Sequence, residues 1–411
     1  MISYKKKVLD NGLTVIAHRD NSTPMAAVNI IYKVGARNEN PANTGFAHLF
    51  EHLMFGGSEN APYFDVPVQM AAGENNAFTN NDYTDYYIVL PKDNIETALW
   101  LESDRMHNLV INNETLELQK KVVIEEFNQR YLNKPYGDIW LLLRPLAYKV
   151  HPYRWATIGM TPDHIRNARI EDVESFYKRF YNPNNAILTV AGDFEAEEVF
   201  EKVEKWFGDI PKGTEPFGII PQEPLQTEPR RELVERKVPA SVIYVVYHMS
   251  GRFSREFHIC DTISDILSNG TSARMYQNLV KKEQLFTSVN AYVTGDMDPG
   301  LFVMTGQVAP GANIETAEKA LLNELEKIKK EPVGDYELEK VKNKFEANTI
   351  FGEINVMNKA MNLCFYDMLG DIDLVNTELS VYRAITSDDI MQTANRIFIP
   401  ENSSTLLYVK E

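Results

Sequence analysis

The sequence predicts an α+β fold of two homologous halves, each a mainly antiparallel sheet covered by helices on one face. Three observations support this prediction: extended and helical segments alternate along the chain, a repeat recurs at an offset of 217 residues, and a proline-rich segment separates the two copies. At 411 residues, the chain also exceeds one ordinary domain of about 100–200 residues. We therefore expect at least two domains.

The chain begins with segments that alternate between extended and helical character. Lys6–Leu9 and Leu13–His18 predict a β-hairpin, because the Asp-Asn-Gly turn between them admits positive φ. Ala26–Val34 predicts a third strand, and Thr44 predicts the N-cap of a helix over Gly45–Phe55. The later elements predicted for this half are a short helix over Phe64–Ala72, strands over Asn76–Thr79 and Tyr83–Leu90, and a mainly helical region over Ile95–Leu146.

A repeat relates the two halves. In each copy a helix leads through an arginine and a Pro-x-Asn turn to a closing strand. The matched positions are Asp172 with Asp389, Arg179 with Arg396, Phe180 with Ile397, Pro183 with Pro400, and Asn185 with Asn402. A helix–proline–strand arrangement shared by chance is the alternative, and duplication explains the matches better.

The segment between the copies is rich in proline, with five prolines in the nineteen residues 211–229. Proline lacks the N–H group that helices and sheets need for their hydrogen bonds. We therefore predict a first half over residues 1–211, a linker over 212–230 and a second half over 231–411.

Charge and cysteine usage exclude several functional classes. The chain has 42 Lys and Arg against 58 Asp and Glu, a net charge of −16, so we expect no nucleic-acid partner. Cys260 and Cys364 lack metal-site spacing and are expected to be buried free thiols. No signal-peptide or membrane-span pattern is evident, which predicts a cytoplasmic protein, or a periplasmic one if a leader has been removed.

The pattern that carries chemistry is His48-Leu49-Phe50-Glu51-His52. Residues four apart lie on one helix face, so His48 and His52 can direct both imidazoles at one metal ion. Glu51 flanks that ion and can take a proton from water. Zinc accepts such ligands, and catalytic zinc sites add a third protein ligand. Two unrelated helix histidines are the alternative.

The segment TGFAHLFEHLMFGG, residues 44–57, resembles the zinc helix of the pitrilysin/insulinase family, whose motif is the inverted HxxEH. Further similar landmarks follow the family's order: Asn11-Gly12-Leu13, Asn75–Thr79 with Tyr86-Tyr87, Val122–Glu126, and Tyr181–Asn185. The resemblance implies a zinc metalloendopeptidase for peptides or unfolded polypeptides, with Glu51 activating a zinc-bound water. Because residues 231–411 contain no HxxEH, we expect one Zn²⁺ per chain.

The third zinc ligand is not decided by spacing, since Glu125 and Glu126 are both carboxylates and point about 100° apart on a helix. The resemblance selects Glu126, 74 residues after His52. It also implies that Gln119 stands where the family usually has a supporting glutamate. An amide leaves the site less negative, which puts the level of activity in question.

The resemblance further implies which groups hold the substrate. Asn76 and Ala77 would lie on an edge strand that pairs with the substrate backbone; a polar edge strand without a partner is the alternative. Val280 and Thr287 stand where other members carry an Arg and a Tyr facing the zinc site. We therefore expect a heterodimer, as in the zinc-bearing subunit of mitochondrial processing peptidase, whose homologous partner supplies that pair. A homodimer is the alternative.

The rival function is a catalytically weak or inactive scaffold or binding subunit of a heteromeric complex with the same fold. Such subunits typically lose motif residues, whereas all four motif residues are present here. Their presence favours the peptidase, and the departures from the family pattern favour the rival.

Overall fold

The computed structural model describes residues 1–214 and 218–411, and residues 215–217 of the predicted linker lie outside this part. The chain forms two compact units. The first contains Met1–Gln129, Trp155–Pro221 and Ile350–Asn376, and the second contains Arg130–Arg154, Gln222–Thr349 and Thr377–Glu411. Across the described residues, no helix combines the length and apolar character needed to cross a membrane.

The first unit contains a six-stranded sheet. Its strands are β1 (Lys5–Val8), β2 (Thr14–Arg19), β3 (Met25–Tyr32), β4 (Glu74–Thr79), β5 (Thr84–Pro91) and β6 (Ala186–Gly192). Their order is β1-β2-β6-β3-β5-β4, and β2 with β6 is the parallel pair in an otherwise antiparallel sheet. This topology confirms the mainly antiparallel prediction and leaves β4 at an edge.

The predicted N-terminal hairpin is present, with β1 and β2 antiparallel. Gly12 adopts φ +90° in the turn, and a Cβ on it would lie 2.7 Å from Cβ of Asn184. Both the left-handed backbone and the close approach require glycine. The turn predicted from Asp-Asn-Gly is therefore confirmed.

The described residues also form α-helices. They are α1 (Phe46–Leu53), α2 (Asp65–Met70), α3 (Ile95–His107), α4 (Asn113–Phe127), α5 (Ile139–Ala147), α6 (Pro162–Arg166), α7 (Ile170–Phe180), α8 (Ala196–Phe207), α9 (Arg255–Ser268), α10 (Ile314–Lys330), α11 (Asp335–Gly352), α12 (Val356–Met368), α13 (Leu374–Arg383) and α14 (Ser387–Ile397). Two π-helical turns, Asn128–Leu132 and Tyr276–Lys282, extend the helical content.

The first sheet carries helices on both faces. Tyr86 of β5 points towards α1, where its hydroxyl donates to the carbonyl of Phe50 at 3.4 Å. On the opposite face, Ala27 and Ala191 pack against Val356 of α12 in one buried cluster. The sequence predicted helices on one face, and α12 adds the cover on the other because both faces of the central strands are apolar.

The second unit repeats this architecture with five strands. They are β7 (Arg230–Arg236), β8 (Val242–His248), β9 (Phe286–Val293), β10 (Leu301–Val308) and β11 (Ser403–Lys410), in the order β7-β11-β8-β10-β9. The pair β7 and β11 is parallel, as β2 and β6 are in the first sheet. The helix–turn–strand repeat also recurs, as α7 with β6 and α14 with β11. These matches confirm two homologous halves.

Each unit takes one helix from the other predicted half. Leu143 of α5 packs in a buried cluster with Val246 and Leu406 of the second sheet, while Ile263 and Leu321 lie in a different cluster with Leu407. Residues 130–154 thus belong with the second unit and residues 350–376 with the first. The contacts that decide this exchange are between residues far apart in the sequence.

Candidate metal centre

The N-terminus of α1 is capped by a residue that the sequence analysis missed. Thr44 was predicted as the cap, and this prediction was wrong: the N-cap is Gly45, at φ +91°. The carboxylate of Glu39 accepts hydrogen bonds from the N–H groups of Gly45 and Ala47, at 2.8 and 2.9 Å. Glu39 therefore satisfies the free N–H groups that begin the helix.

Thr44 has a different role. Its hydroxyl accepts a hydrogen bond from the N–H of Met160 at 2.8 Å and lies 2.7 Å from Nδ1 of His164. It thus joins the start of α1 to Met160 and to His164 of α6. Glu39 was not found because it lies six residues before Gly45, outside the spacing of a local cap. Burial raises the pKa of Glu39 to about 8, against the N–H donors that favour its charged form.

The two histidines of the motif project from one face of α1. Nε2 of His52 lies 3.3 Å from Oε2 of Glu126, and Nε2 of His48 lies 3.7 Å from the same oxygen. The two imidazole rings are 4.9 Å apart and nearly perpendicular. The structure therefore brings together the three residues that the sequence analysis named as ligands.

The donor atoms fit a zinc ion. Ligand atoms about 2.0–2.2 Å from a tetrahedral zinc lie roughly 3.4 Å from one another. One donor atom from each of His48, His52 and Glu126 lies within 4.8 Å of the other two, and the two His–Glu distances fall near the tetrahedral value. Among the His, Cys, Asp and Glu side chains in the described part of the chain, these three form a group that could hold a metal ion.

Helix α4 presents Glu126 rather than Glu125 to α1. Glu125 is exposed and accepts a hydrogen bond from Nε2 of Gln129 at 2.9 Å. The start of α4 is held by Asn112, whose side chain accepts from the N–H groups of Glu114 and Thr115. Geometry thus separates two carboxylates that spacing left equivalent.

The side chain of Glu51, on α1, lies beside the edge strand β4. Burial raises its pKa above the ordinary value, while hydrogen bonding to Thr79 and the neighbouring His52 oppose that rise and Glu126 adds to it. Thr79 of β4 is a contact that the sequence analysis did not identify. Strand β4 therefore lies against the side of α1 that carries Glu51.

Asn76 and Ala77 lie on β4, opposite Tyr87 and Tyr86 of β5. Among the described residues β4 pairs with β5 alone, so its other edge offers main-chain groups for a further strand. Asn76 is exposed, and its Oδ1 accepts from the N–H of Ala77 at 2.9 Å. The edge position is as expected, and a substrate role for these residues stays a prediction.

Three residues differ from the family pattern, and each has packing or hydrogen-bond contacts of its own or lies partly buried on a helix: Gln119, Val280 and Thr287. Gln119 is half-buried on α4, two turns before Glu126. Val280 lies in the π-helical turn Tyr276–Lys282 and packs against the core of the second unit. Thr287 is exposed on β9, where its hydroxyl donates to the carbonyl of Gln307 at 3.3 Å.

Comparison with known proteins adds independent findings. The model of the insulinase family, peptidase family M16, matches residues 14–135, and the model of the peptidase M16 inactive domain matches residues 167–345. The zinc protease PqqE of Helicobacter pylori is 29% identical over 413 residues, covering 99% of this chain and 93% of that protein. The first matched region contains all four residues of the HxxEH–Glu126 constellation.

Two further relatives extend the comparison. The β subunit of the mitochondrial-processing peptidase of Saccharomyces cerevisiae is 25% identical over 355 residues, covering 82% of this chain and 76% of that subunit. A crystal structure of a protease from Helicobacter pylori superposes with a TM-score of 0.93 at 28% identity, covering 99% of this chain and 100% of that one. The likeness thus spans both units.

Proposed function

The chain belongs to the insulinase family of zinc proteases, peptidase family M16, and from this premise we propose that it is a zinc-dependent endopeptidase acting on peptides or unfolded polypeptides. The observation that carries the proposal is the convergence of His48, His52 and Glu126, with Glu51 beside them. A scaffold subunit needs neither three donor atoms that converge on one point nor a carboxylate next to them.

The proposed roles follow from the chemistry of each group. His48, His52 and Glu126 would hold one Zn²⁺. When bound, zinc polarises the scissile carbonyl and lowers the pKa of a coordinated water towards about 7. Glu51 takes the proton of the attacking water and delivers it to the leaving amine. Burial raises the pKa of Glu51 above its ordinary value, which favours its role as the group that accepts and returns this proton.

Edge strand β4 is the proposed platform for the substrate. An extended peptide that pairs with Asn76 and Ala77 would be held by main-chain hydrogen bonds, which tolerate many sequences. Such pairing needs a backbone that is not already in secondary structure. The substrate class is therefore peptides and unfolded polypeptides.

A homologous partner subunit is part of the proposal. Val280 and Thr287 supply neither the guanidinium nor the phenol that the family resemblance implies opposite the zinc. A relative over 82% of the chain is itself described as a subunit of a processing peptidase. We favour a heterodimer whose other chain supplies the Arg and Tyr, with a homodimer as the alternative.

A second candidate function is a catalytically weak scaffold or binding subunit. It is supported by the match of residues 167–345 to a domain described as inactive and by the amide at Gln119. The two functions differ in their dependence on Glu51, because a scaffold needs no general base. Glu51→Gln should therefore abolish the function of a peptidase and leave that of a scaffold unchanged.

The test compares the chain with its Glu51→Gln variant, each alone and with a homologous subunit. Zinc content is measured by elemental analysis, and cleavage is measured on a random peptide library with and without chelator. We expect about one zinc per chain in both proteins. Only the unsubstituted chain should cleave peptides, and the Glu51→Gln variant should not. Equal cleavage by both would reject Glu51 as the base, and zinc binding without cleavage in any combination would favour the scaffold.

A further inference from the structure

A buried arginine lies behind the metal-binding helix, on the side away from solvent. Arg105 of α3 is 1% exposed, and its partner Glu102, one turn earlier, is fully buried. Nε and Nη2 of Arg105 donate to the two carboxylate oxygens of Glu102, at 2.8 and 2.5 Å. The result is a planar, bidentate ion pair enclosed in the core of the first unit.

Three aromatic rings surround this guanidinium. Its carbon lies 4.3 Å from the ring centre of Tyr86, 4.5 Å from that of Phe64 and 5.3 Å from that of Phe55. Phe55 and Phe64 also meet edge to face, with ring centres 5.4 Å apart. A cation over several aromatic faces is attracted to each of them, more strongly when water is excluded.

Two of these rings connect Arg105 to α1 on either side of the catalytic positions. The hydroxyl of Tyr86 donates to the carbonyl of Phe50 at 3.4 Å, one residue before Glu51. Phe55 follows the end of α1 and lies three residues after His52. Arg105 therefore reaches the segment that carries Glu51 and His52 from behind.

The net stability of the fold does not explain this arrangement. Removing two charges from water is costly, and replacing a whole buried ion pair by apolar residues of similar volume is often neutral or stabilising. The planar guanidinium does provide fixed geometry, because its fork binds Glu102 at two points while its faces contact the rings. The pair therefore supplies a fixed orientation at this point of the core, whatever its net contribution to stability.

We propose that Arg105, held by Glu102, is a positioning residue that sets the orientation of Glu51 and His52 through Tyr86 and Phe55. This inference rests on the proposed peptidase function. It assigns no contact with substrate or metal to Arg105. Its effect is exerted on the C-terminal half of α1.

The test is the double variant Arg105→Met with Glu102→Leu, which removes both charges and keeps the volume. We expect its melting temperature to stay within a few degrees or to rise. Its kcat should fall about 10-fold or more with KM within about twofold, and its zinc affinity in a chelator competition should fall about 10-fold. Arg105→Lys should restore part of kcat, because the charge returns without the planar fork.

A control removes another bidentate pair, Arg231 with Glu318 in the second unit, in which the arginine is half exposed, through Arg231→Met with Glu318→Leu. We expect unchanged kcat and zinc affinity. If the Arg105 double variant does not fold, Arg105→Lys decides: loss of kcat without loss of melting temperature supports positioning, and parallel loss of both overturns it. An unchanged kcat in the folded double variant also overturns the positioning role of Arg105. If the unsubstituted chain binds no zinc or cleaves no peptide, the proposed peptidase function itself is refuted.

Discussion

Oε2 of Glu126 lies 3.3 Å from Nε2 of His52, although 74 residues separate the two in the sequence. The contact depends on the packing of α4 against α1, and that packing turns Glu125 outward. Two adjacent carboxylates thereby acquire different surroundings.

Glu126→Gln should weaken zinc binding at least about 100-fold, because an amide removes both the charge and a strong oxygen donor. Glu125→Gln is the matched control, one residue away on the same helix, and should bind zinc like the unsubstituted chain. Chelator competition measures both affinities. Equal losses in the two variants would show that α4 does not present Glu126 selectively.

Glu39→Ala should lower the free energy of unfolding by about 1–2 kcal/mol and also weaken zinc binding, since it frees the N–H groups that begin α1. Ser254→Ala is the control, because Ser254 caps α9 in the second unit. It should cost about 1 kcal/mol without changing zinc affinity. Urea unfolding measures the stability of both variants, and chelator competition measures their zinc affinity. Equal zinc affinities in the two variants would contradict the prediction.

The ion pair of Asp20 with Lys359, at 2.6 Å, should make the attachment of α12 depend on pH. Burial tends to raise the pKa of Asp20, but hydrogen bonds from Lys359 and Ser22 outweigh it and hold the pKa at about 2. The folded pKa lies below the unfolded value of about 3.9. The stabilisation, about 2 kcal/mol, is therefore complete above about pH 4 and is lost as the pH falls towards 2.

Lys359→Met should accordingly lose part of this stabilisation near neutral pH, on the order of 1 kcal/mol, because the hydrogen bonds from Ser22 remain, and its difference from the unsubstituted chain should shrink as the pH falls below about 4. Lys178→Met, which breaks an exposed pair with Glu174, should change stability by less than about 0.5 kcal/mol. Urea midpoints at several pH values measure both. A difference that stays constant with pH would contradict the assignment.

Both thiols should be inert in the folded protein. Cys260 and Cys364 are fully buried, and burial raises the pKa of both, that of Cys364 to about 12. Because the thiolate is the reactive form, a thiol reagent near pH 8 should modify neither until denaturant is added. Rapid reaction of Cys364 in the folded chain would show that α12 opens from the first sheet.

The heterodimer proposal predicts that the isolated chain cleaves peptides at least about 10-fold more slowly than it does with its homologous partner, because an Arg–Tyr pair stabilises the developing charge on the substrate carbonyl. Light scattering coupled to size exclusion, with activity measured across the peak, tests this. Cleavage at the full rate by a chain eluting at 47.0 kDa would contradict it.

Local patterns were sufficient for the elements around the site. The Asp-Asn-Gly turn, the strands β3 to β5 and the helix carrying His48 and His52 all follow from spacing over a few residues. The cap of α1 did not follow, because Thr44 has the right residue type but Glu39 reaches the helix N–H groups from six residues away. A favourable local propensity was overridden by a tertiary contact.

The sequence was therefore enough to predict two imidazoles on one helix face, a carboxylate beside them and two related halves, because each depends on periodicity within a helix or on a repeat. Spacing left Glu125 and Glu126 equivalent, and only the family resemblance selected Glu126; packing shows that Glu126 faces the histidines. Packing also decided that Arg105 reaches α1 and which unit α5 and α12 join. Those contacts join residues tens to hundreds of positions apart. Their free energy comes from burying complementary surfaces, which no local spacing records.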